Sequence, residues 1–127
     1  MSKGRVFDIE EAQWTQESKG VRYCVFQASE KATVQYYEIN RGQTTAEVCA
    51  PSEILVLCEH GICDYIIDGK IYTVNDGVWC WIPANTPYSV KNHNGTTAVN
   101  VRYYLPAWDA LPESPKIADT TGKREEL

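Results

Sequence analysis

Short apolar segments recur at even intervals between residues 21 and 105, and nearly every one ends at turn-forming residues. The clearest turn is Asp68-Gly69, a dipeptide typical of two-residue β-hairpins, which divides residues 63–74 into two strands. No helical spacing of apolar residues competes with this pattern in the middle of the chain. The sequence therefore predicts an all-β sandwich or barrel. The predicted strands are rich in β-branched and aromatic residues and cover 21–28, 32–39, 44–50, 53–61, 63–74, 78–83, 88–92 and 96–105.

The two ends of the chain depart from this pattern. Near the N-terminus, Asp8 and Glu11 have the spacing of a capping pair, which predicts a short helix or turn. From Pro106 onwards, prolines and charged residues predict an irregular tail with a flexible end. We therefore expect one domain over residues 1–127, with its core at about 20–106 and its tail at 107–127.

Charge and cysteine content narrow the classes of partner. The chain has 12 basic and 17 acidic residues, a formal charge of -5, and no basic run, so neither nucleic acid nor a membrane surface is an expected partner. It lacks an apolar stretch of transmembrane length, and its start lacks the apolar segment of a secretory signal. The five cysteines are odd in number and form no C-x-x-C, which favours reduced thiols. We expect a cytoplasmic protein.

The segment DGVWCWIPANTPYSVKN carries a spaced motif. Gly77, Pro83, Asn85, Tyr88 and Asn92 stand at the intervals of the pattern G-x5-P-x-G-x2-H-x3-N. In this motif the chain resembles the cupin superfamily, specifically its small, single-domain, RmlC-like members. The resemblance implies a single jelly-roll β-barrel and a homodimer. Asn85 replaces a glycine but tolerates the same left-handed backbone, whereas Tyr88 replaces a metal-ligand histidine.

The first motif of the same superfamily reads G-x5-H-x-H-x3,4-E-x6-G. With Gly42 and Gly61 as its ends, the ligand positions fall on Val48, Ala50 and Ile54, which are all apolar. We therefore expect these three side chains to point into the barrel. The resemblance then implies a cupin without the usual metal, without a cofactor, and with an apolar pocket floor.

The neighbouring register leaves an atypical metal site open. A shift of one residue would turn Glu47, Cys49 and Glu53 inward, because side chains alternate across a strand. That register buries two carboxylates with no histidine among them, which is costly without a cation. With a cation bound, this cost would be offset, so a metalloprotein that uses Glu47, Cys49 and His60 is the alternative to a metal-free protein.

Other strands supply further pocket candidates. By its motif position Tyr88 projects into the barrel. There its ring would fill the space of the metal and its histidine ligand, or its hydroxyl would donate to a bound molecule or act as an acid. On the last strand Arg102 shares a face with Tyr104, and an inward Arg102 would anchor a carboxylate, whereas an outward one would be a solvated charge. Tyr88 and Arg102 are the catalytic candidates. The expected pocket lining is Val48, Ala50, Ile54, Cys58, Tyr88, Trp81 and Tyr104.

Three classes of function follow from these expectations. The first is a metal-independent cupin that binds a small organic molecule in the barrel and converts it as an isomerase, lyase or cyclase would. The second is a non-catalytic binder, accessory protein or sensor, which an apolar pocket with a few polar groups also fits. The third is the metalloprotein with atypical ligands. The sequence leaves open whether the bound molecule is turned over.

Overall fold

The computed structural model describes residues 4–93, 95–108 and 110–111 of the chain. Over these residues all regular secondary structure is β-strand, which confirms the predicted all-β class. None of the described residues belongs to a helix long and apolar enough to cross a membrane. In chain order the strands are β1 (Thr15–Ser18), β2 (Val21–Ser29), β3 (Ala32–Ile39), β4 (Val48–Cys49), β5 (Glu53–His60), β6 (Ile62–Ile67), β7 (Lys70–Asn75), β8 (Trp79–Ile82), β9 (Pro87–Lys91) and β10 (Ala98–Leu105).

The strands form two antiparallel sheets. The larger sheet has six strands in the order β1-β2-β3-β10-β5-β8, and the smaller has four in the order β4-β9-β6-β7. Asp68 and Gly69 join β6 to β7 with φ angles of 50° and 81°. Both angles are left-handed, as a two-residue hairpin turn of this type requires. The predicted Asp68-Gly69 hairpin is therefore confirmed.

The core lies between the inner faces of the two sheets, where side chains from alternate strand positions meet. In β5, for example, Ile54, Val56 and Cys58 are fully buried, whereas Glu53 and Leu55 point outward and are exposed. Burial of each large apolar side chain contributes roughly 1.5–3 kcal/mol, so this inner layer dominates the stability of the fold. Core residues from both sheets include Val21, Tyr37, Ile39, Ala50, Ile54, Val56, Tyr65, Val74, Ile82, Tyr88, Val90 and Tyr104.

Two asparagines of the second motif connect separate parts of the fold. Asn85 has a φ of 58°, which confirms the expected left-handed backbone, and its N–H donates to the carbonyl oxygen of Ala50 at 2.8 Å. Asn92 is fully buried, and its Nδ2 donates to the carbonyl oxygens of Ile39 at 2.8 Å and Thr96 at 2.9 Å. The motif spacing thus fixes the turns around β9 in place.

The structure differs from the predicted strands at two places. β1 was not predicted, because its sequence TQES is polar and every residue of the strand is exposed. The predicted strand at 44–50 is regular only in β4, with a separate bridge between Thr44 and Lys91. Short pairing suffices there because β4 is an edge strand of the smaller sheet.

The described ends of the chain pack against the fold without regular secondary structure. At the N-terminus the expected short helix or turn is a turn, with two backbone N–H groups donating to the carbonyl oxygen of Asp8 at 3.0 Å each. At the other end, the Trp108 ring packs on Tyr104 with ring centroids 5.6 Å apart. Residue 109 and residues 112–127 lie outside the described residues, so most of the expected tail is not described.

Candidate functional site

A cavity of about 150 Å³ lies between the two sheets at one end of the core. Its walls are mainly aromatic, and they carry two ionisable acid–base side chains of opposite charge, Glu17 and Arg102. We call this space the inter-sheet cavity. Its described lining comprises Glu17, Tyr23, Gln35, Tyr37, Thr45, Val48, Tyr88, Arg102, Tyr104, Trp108 and Leu111.

Strand pairing explains why polar groups line this cavity. In β10, Asn100, Arg102 and Tyr104 alternate onto the inner face and are all buried. The neighbouring strand β3 sets Gln35 directly beside Arg102 and Tyr37 directly beside Asn100. Two adjacent strands therefore place a row of polar side chains inside a mainly apolar core.

Arg102 is the central group of this row, with only 3% of its surface exposed. Its Nε and Nη2 atoms donate to the Tyr65 hydroxyl at 3.3 and 3.2 Å, and its Nη1 donates to Gln35 Oε1 at 3.3 Å. A guanidinium has five N–H donors, and these three contacts engage three of them. Within the described part of the chain, no carboxylate oxygen lies within 4.0 Å of the guanidinium.

Aromatic rings compensate part of the cost of burying this charge. The guanidinium carbon lies 3.8 Å from the centroid of the Tyr37 ring and 5.6 Å from the centroids of Tyr65 and Tyr88. Ring faces attract a cation, and an arginine keeps its charge at every physiological pH. The interior of this fold therefore holds one positive charge that no adjacent anion neutralises in the described structure.

Two of the phenols around Arg102, those of Tyr65 and Tyr104, are neutral hydroxyls and not anions at neutral pH. Burial raises the pKa of Tyr104 well above its ordinary value, and it does the same for Tyr65 despite the opposing effect of Arg102. The Tyr104 hydroxyl donates to Gln35 Oε1 at 2.8 Å and lies 3.4 Å from the Tyr88 hydroxyl. This network fixes the polar wall of the cavity.

Glu17 supplies the second charge, at the exposed edge of the cavity. The Tyr37 hydroxyl donates to Glu17 Oε2 at 2.8 Å. Burial raises the pKa of Tyr37 strongly, Arg102 opposes that rise, and Glu17 adds to it. The Tyr37 phenol therefore stays protonated and contacts both charged groups of the cavity.

Most of the residues predicted to line the pocket lie on the inner side of the sheets. Val48 is the cross-strand partner of Tyr88, and both line the cavity together with Tyr104. Ala50 and Ile54 also face inward, but at 2% and 0% exposure they are closed off in the core. Cys58, another predicted lining residue, is likewise fully buried in the core and does not line the cavity.

The expectation that Trp81 lines this pocket is wrong. Trp81 lies on the outer face of β8, is 54% exposed, and donates from its Nε1 to Glu53 Oε1 at 2.9 Å. The inward position of β8 belongs to Cys80, because Cys80 pairs with the buried Val56. Trp81 instead lines an open groove of about 570 Å³ between β7 and β8, which is larger than the inter-sheet cavity but has no buried polar group in its walls.

The atypical metal ligands do not converge. Glu47 and Cys49 are exposed. His60 is also exposed, and its Nδ1 lies 3.8 Å from Asp76 Oδ2. In the described part of the chain, no three His, Cys, Asp or Glu side chains cluster as a metal ion would require. The reason is the strand alternation, which turns Val48 and Ala50 inward in place of Glu47 and Cys49.

The residues at the superfamily's metal position do not fit a metal ion either. They present two aliphatic side chains, an alanine and the phenol of Tyr88, which offer none of the imidazole or carboxylate ligands of that position. The ring of Tyr88 also lies 5.6 Å from the Arg102 guanidinium, whose positive charge opposes a second cation nearby. The donor chemistry at this place suits an anion better than a metal.

Four residues of the site escaped the sequence reasoning. Gln35 carried a signal, since it is a polar residue in the middle of an apolar strand, whereas Tyr37 is one of two adjacent tyrosines and nothing local distinguishes it from Tyr36. Tyr65 gave no sign of its hydroxyl contact with Arg102. Glu17 lies on β1, which was not predicted as a strand at all.

Comparisons with known proteins agree with this geometry at the level of fold. No family sequence model and no curated protein sequence matches the chain. Among solved structures, KdgF from Halomonas sp. aligns with a TM-score of 0.74 at 14% identity, covering 85% of this chain and 98% of that chain. An RmlC-like cupin from Shewanella frigidimarina aligns with a TM-score of 0.74 at 13% identity, covering 86% of this chain and 96% of that chain. A predicted oxalate decarboxylase from Thermotoga maritima aligns with a TM-score of 0.68 at 15% identity, covering 80% and 99%. The chain therefore has the jelly-roll fold of the cupin superfamily.

Proposed function

We propose that this protein binds a small organic carboxylate in the inter-sheet cavity, with the guanidinium of Arg102 as the anchor. The observation that carries the proposal is a buried guanidinium that lines a cavity and has no carboxylate within 4.0 Å in the described structure. A buried charge of this kind is expensive to keep in a free protein. A bound carboxylate would supply the missing counter-charge and accept hydrogen bonds from the guanidinium.

The size and lining of the cavity limit the ligand. Its volume of about 150 Å³ equals that of an engineered core cavity known to accommodate benzene, so roughly six non-hydrogen atoms fit inside. Tyr23, Tyr88 and Trp108 give the walls an aromatic surface. A short acid with an apolar middle portion suits this combination. The proposal uses no metal, because the side chains around Arg102 do not form a metal-ligand set.

Calorimetric titration with butyrate, and with butylamine as a probe of opposite charge, tests the proposal. We expect butyrate to bind and butylamine to give no heat of binding. Arg102→Met, which keeps the length of the side chain, should weaken butyrate binding by at least about tenfold. The control is Arg22→Met, because Arg22 lies on the outer face, 2.8 Å from Glu38 Oε1, and should not affect binding. Equal binding of butyrate by both variants would refute the assignment.

A proton-transfer enzyme of the isomerase, lyase or cyclase type is the second candidate. The observation that favours it is the Tyr88 hydroxyl, which lies at the cavity beside Arg102 and 3.4 Å from the hydroxyl of Tyr104. A phenol in that position can donate a proton while the guanidinium holds the carboxylate. The test is deuterium exchange from D2O into short keto- and hydroxy-acids, followed by NMR. Exchange that Tyr88→Phe abolishes supports an enzyme, and no exchange above the buffer rate leaves a binding protein.

We also propose that a second copy of the chain covers the outer face of the larger sheet. An outer apolar stripe, defined here as Leu55, Trp79, Trp81 and Tyr103, runs across β10, β5 and β8. Its two tryptophans are 53% and 54% exposed and alone offer on the order of 200 Å² of aromatic surface. That is about a quarter of what one partner contributes to a standard interface. β8 is also an unpaired sheet edge, and pairing would protect it.

The proposed location is the cytoplasm. The structure contains free thiols at both buried and exposed positions, and Cys49 is exposed. Burial raises the pKa of both Cys24 and Cys58 to about 12, so these thiols stay protonated and unreactive at neutral pH. Free exposed cysteine suits a reducing compartment. Cell fractionation of the native protein tests this proposal.

A further inference from the structure

We infer that Glu17 and Arg102 are two opposite poles of one binding site, and that the ligand is a short zwitterion with a carboxylate at one end and an ammonium at the other. This inference rests on the proposed function, since it assigns the carboxylate of the ligand to Arg102. It adds a second recognition element and therefore a chemical class of ligand. It also gives Glu17 the role of a specificity-determining residue.

Tyr37 contacts both charged side chains of the cavity. The Tyr37 hydroxyl donates to Glu17 Oε2 at 2.8 Å, while the guanidinium carbon of Arg102 lies 3.8 Å from the centroid of the same ring. The two charges do not form an ion pair with each other, because no Glu17–Arg102 contact falls within 4.0 Å. The phenol thus contacts a carboxylate through its hydroxyl and a guanidinium through its ring face, and both charged groups line one small cavity.

The backbone at Glu17 interrupts the regular pairing of its strand. The pairing of β1 with β2 shifts between Gln16, which faces Arg22, and Ser18, which faces Val21. Glu17 is the extra residue of this β-bulge, and bulges redirect side chains next to binding sites. The Glu17 carboxylate lines the cavity, where one of its two oxygens contacts Tyr37. The other oxygen is available for a donor on the ligand.

The charges of the cavity walls favour a ligand that carries both a positive and a negative charge. Glu17 and Arg102 are the acidic and basic side chains of the described cavity lining, so the empty walls sum to no net charge. A simple carboxylate would satisfy Arg102 but leave a negative ligand near Glu17. A dicarboxylate would place its second negative charge against Glu17 and be repelled. A zwitterion satisfies both poles at once.

A competing explanation is that Glu17 only protects an edge strand. β1 is the outermost strand of the larger sheet, and an inward-pointing charge on such a strand discourages pairing with other chains. That explanation predicts no effect of Glu17 on ligand selectivity. It therefore separates cleanly from the present inference by a binding experiment.

The experiment is calorimetric titration of the full chain with three probes: butyrate, 4-aminobutyrate and succinate. We expect the unmodified protein to bind 4-aminobutyrate about fivefold more tightly than butyrate, as one partly exposed ion pair would give, and succinate most weakly. Glu17→Gln keeps an acceptor for Tyr37 and removes the charge, so it should bring all three affinities within about twofold of each other.

The matched control is Glu59→Gln. Glu59 accepts a hydrogen bond from Tyr36 at 3.3 Å on the outer face of the same sheet, so it repeats the Glu17–Tyr37 pair away from the cavity. We expect this variant to keep the selectivity of the unmodified protein. Equal affinities for butyrate and 4-aminobutyrate, unchanged in Glu17→Gln, would overturn the inference and leave the carboxylate proposal standing. Failure of the unmodified protein to bind any of the three acids would overturn both.

Discussion

The guanidinium carbon of Arg102 lies 3.8 Å from the centroid of the Tyr37 ring, and the hydroxyl of that ring donates to Glu17 at 2.8 Å. One phenol therefore joins the buried positive charge of this fold to the negative charge at the edge of the cavity. This relationship makes the stability and the binding properties of the site separable by mutation.

Arg102→Met is expected to impair binding without impairing folding. The variant removes a buried charge that has no carboxylate partner in the described structure, and apolar replacements of buried charges are often neutral or stabilising by about 1 kcal/mol or more. The measurement is the free energy of unfolding in urea. A loss of more than about 3 kcal/mol would mean that Arg102 holds the core together and is not retained for a ligand.

The two cavity tyrosines of the hydroxyl pair should differ in their contribution to stability. The Tyr104 hydroxyl makes a 2.8 Å hydrogen bond to Gln35, whereas among the described residues the Tyr88 hydroxyl has only its 3.4 Å contact with Tyr104. Tyr104→Phe removes the bond to Gln35 and leaves the buried Tyr88 hydroxyl without its described partner, so it should cost about 1–3 kcal/mol, whereas Tyr88→Phe should stay within about 1 kcal/mol. Thermal unfolding of both variants checks the order. A larger loss for Tyr88→Phe would contradict the described network.

Gly61 should tolerate a side chain less well than Gly69. A Cβ at Gly61, where φ is 91°, would lie 2.9 Å from Ala98 Cα, whereas a Cβ at Gly69, where φ is 81°, meets nothing within 4 Å. Both alanine variants bear the cost of a left-handed backbone, about 1 kcal/mol. Gly61→Ala adds a backbone clash and should lose roughly twice as much. Urea unfolding of the pair measures the difference, and equal losses would argue against the close approach.

Trp81→Lys should disrupt the proposed dimer. The substitution places a charge in the outer apolar stripe, where an interface core tolerates it poorly. Ile71→Lys is the control, because Ile71 is 67% exposed but lies on β7 in the other sheet. Light scattering coupled to size-exclusion chromatography should show a dimer for the unmodified chain and the control, and a monomer for Trp81→Lys. A monomeric unmodified chain would refute the dimer.

The sequence was informative about the fold because strand ends carry local chemistry. Asp68-Gly69 and Asn85 adopt left-handed backbones that few other residues tolerate, so their positions predicted turns correctly. Polar β1 gave no such signal, since exposed edge strands need no apolar alternation. Its absence from the prediction also removed Glu17 from the candidate site.

The site was harder to predict because it depends on contacts between distant residues. Arg102 and Gln35 are separated by 67 positions in the chain, and only the pairing of β3 with β10 brings them together. Trp81 was misplaced for a related reason. Both alternate faces of β8 carry apolar side chains, so alternation alone does not distinguish an inward Cys80 from an inward Trp81.

The alternation of side chains along β10 has a consequence for the register of this strand. Arg102 faces the cavity, while the next residue, Tyr103, stacks on Trp79 on the outer face with ring centroids 6.1 Å apart. If the register of β10 shifted by one residue, the Arg102 guanidinium would lie on the outer face among the exposed tryptophans. The Tyr103 ring would then occupy the place of the guanidinium on the inner face. Arg102 therefore favours the native register of β10, because a shift of this central strand by one residue would be unfavourable on both faces of the sheet.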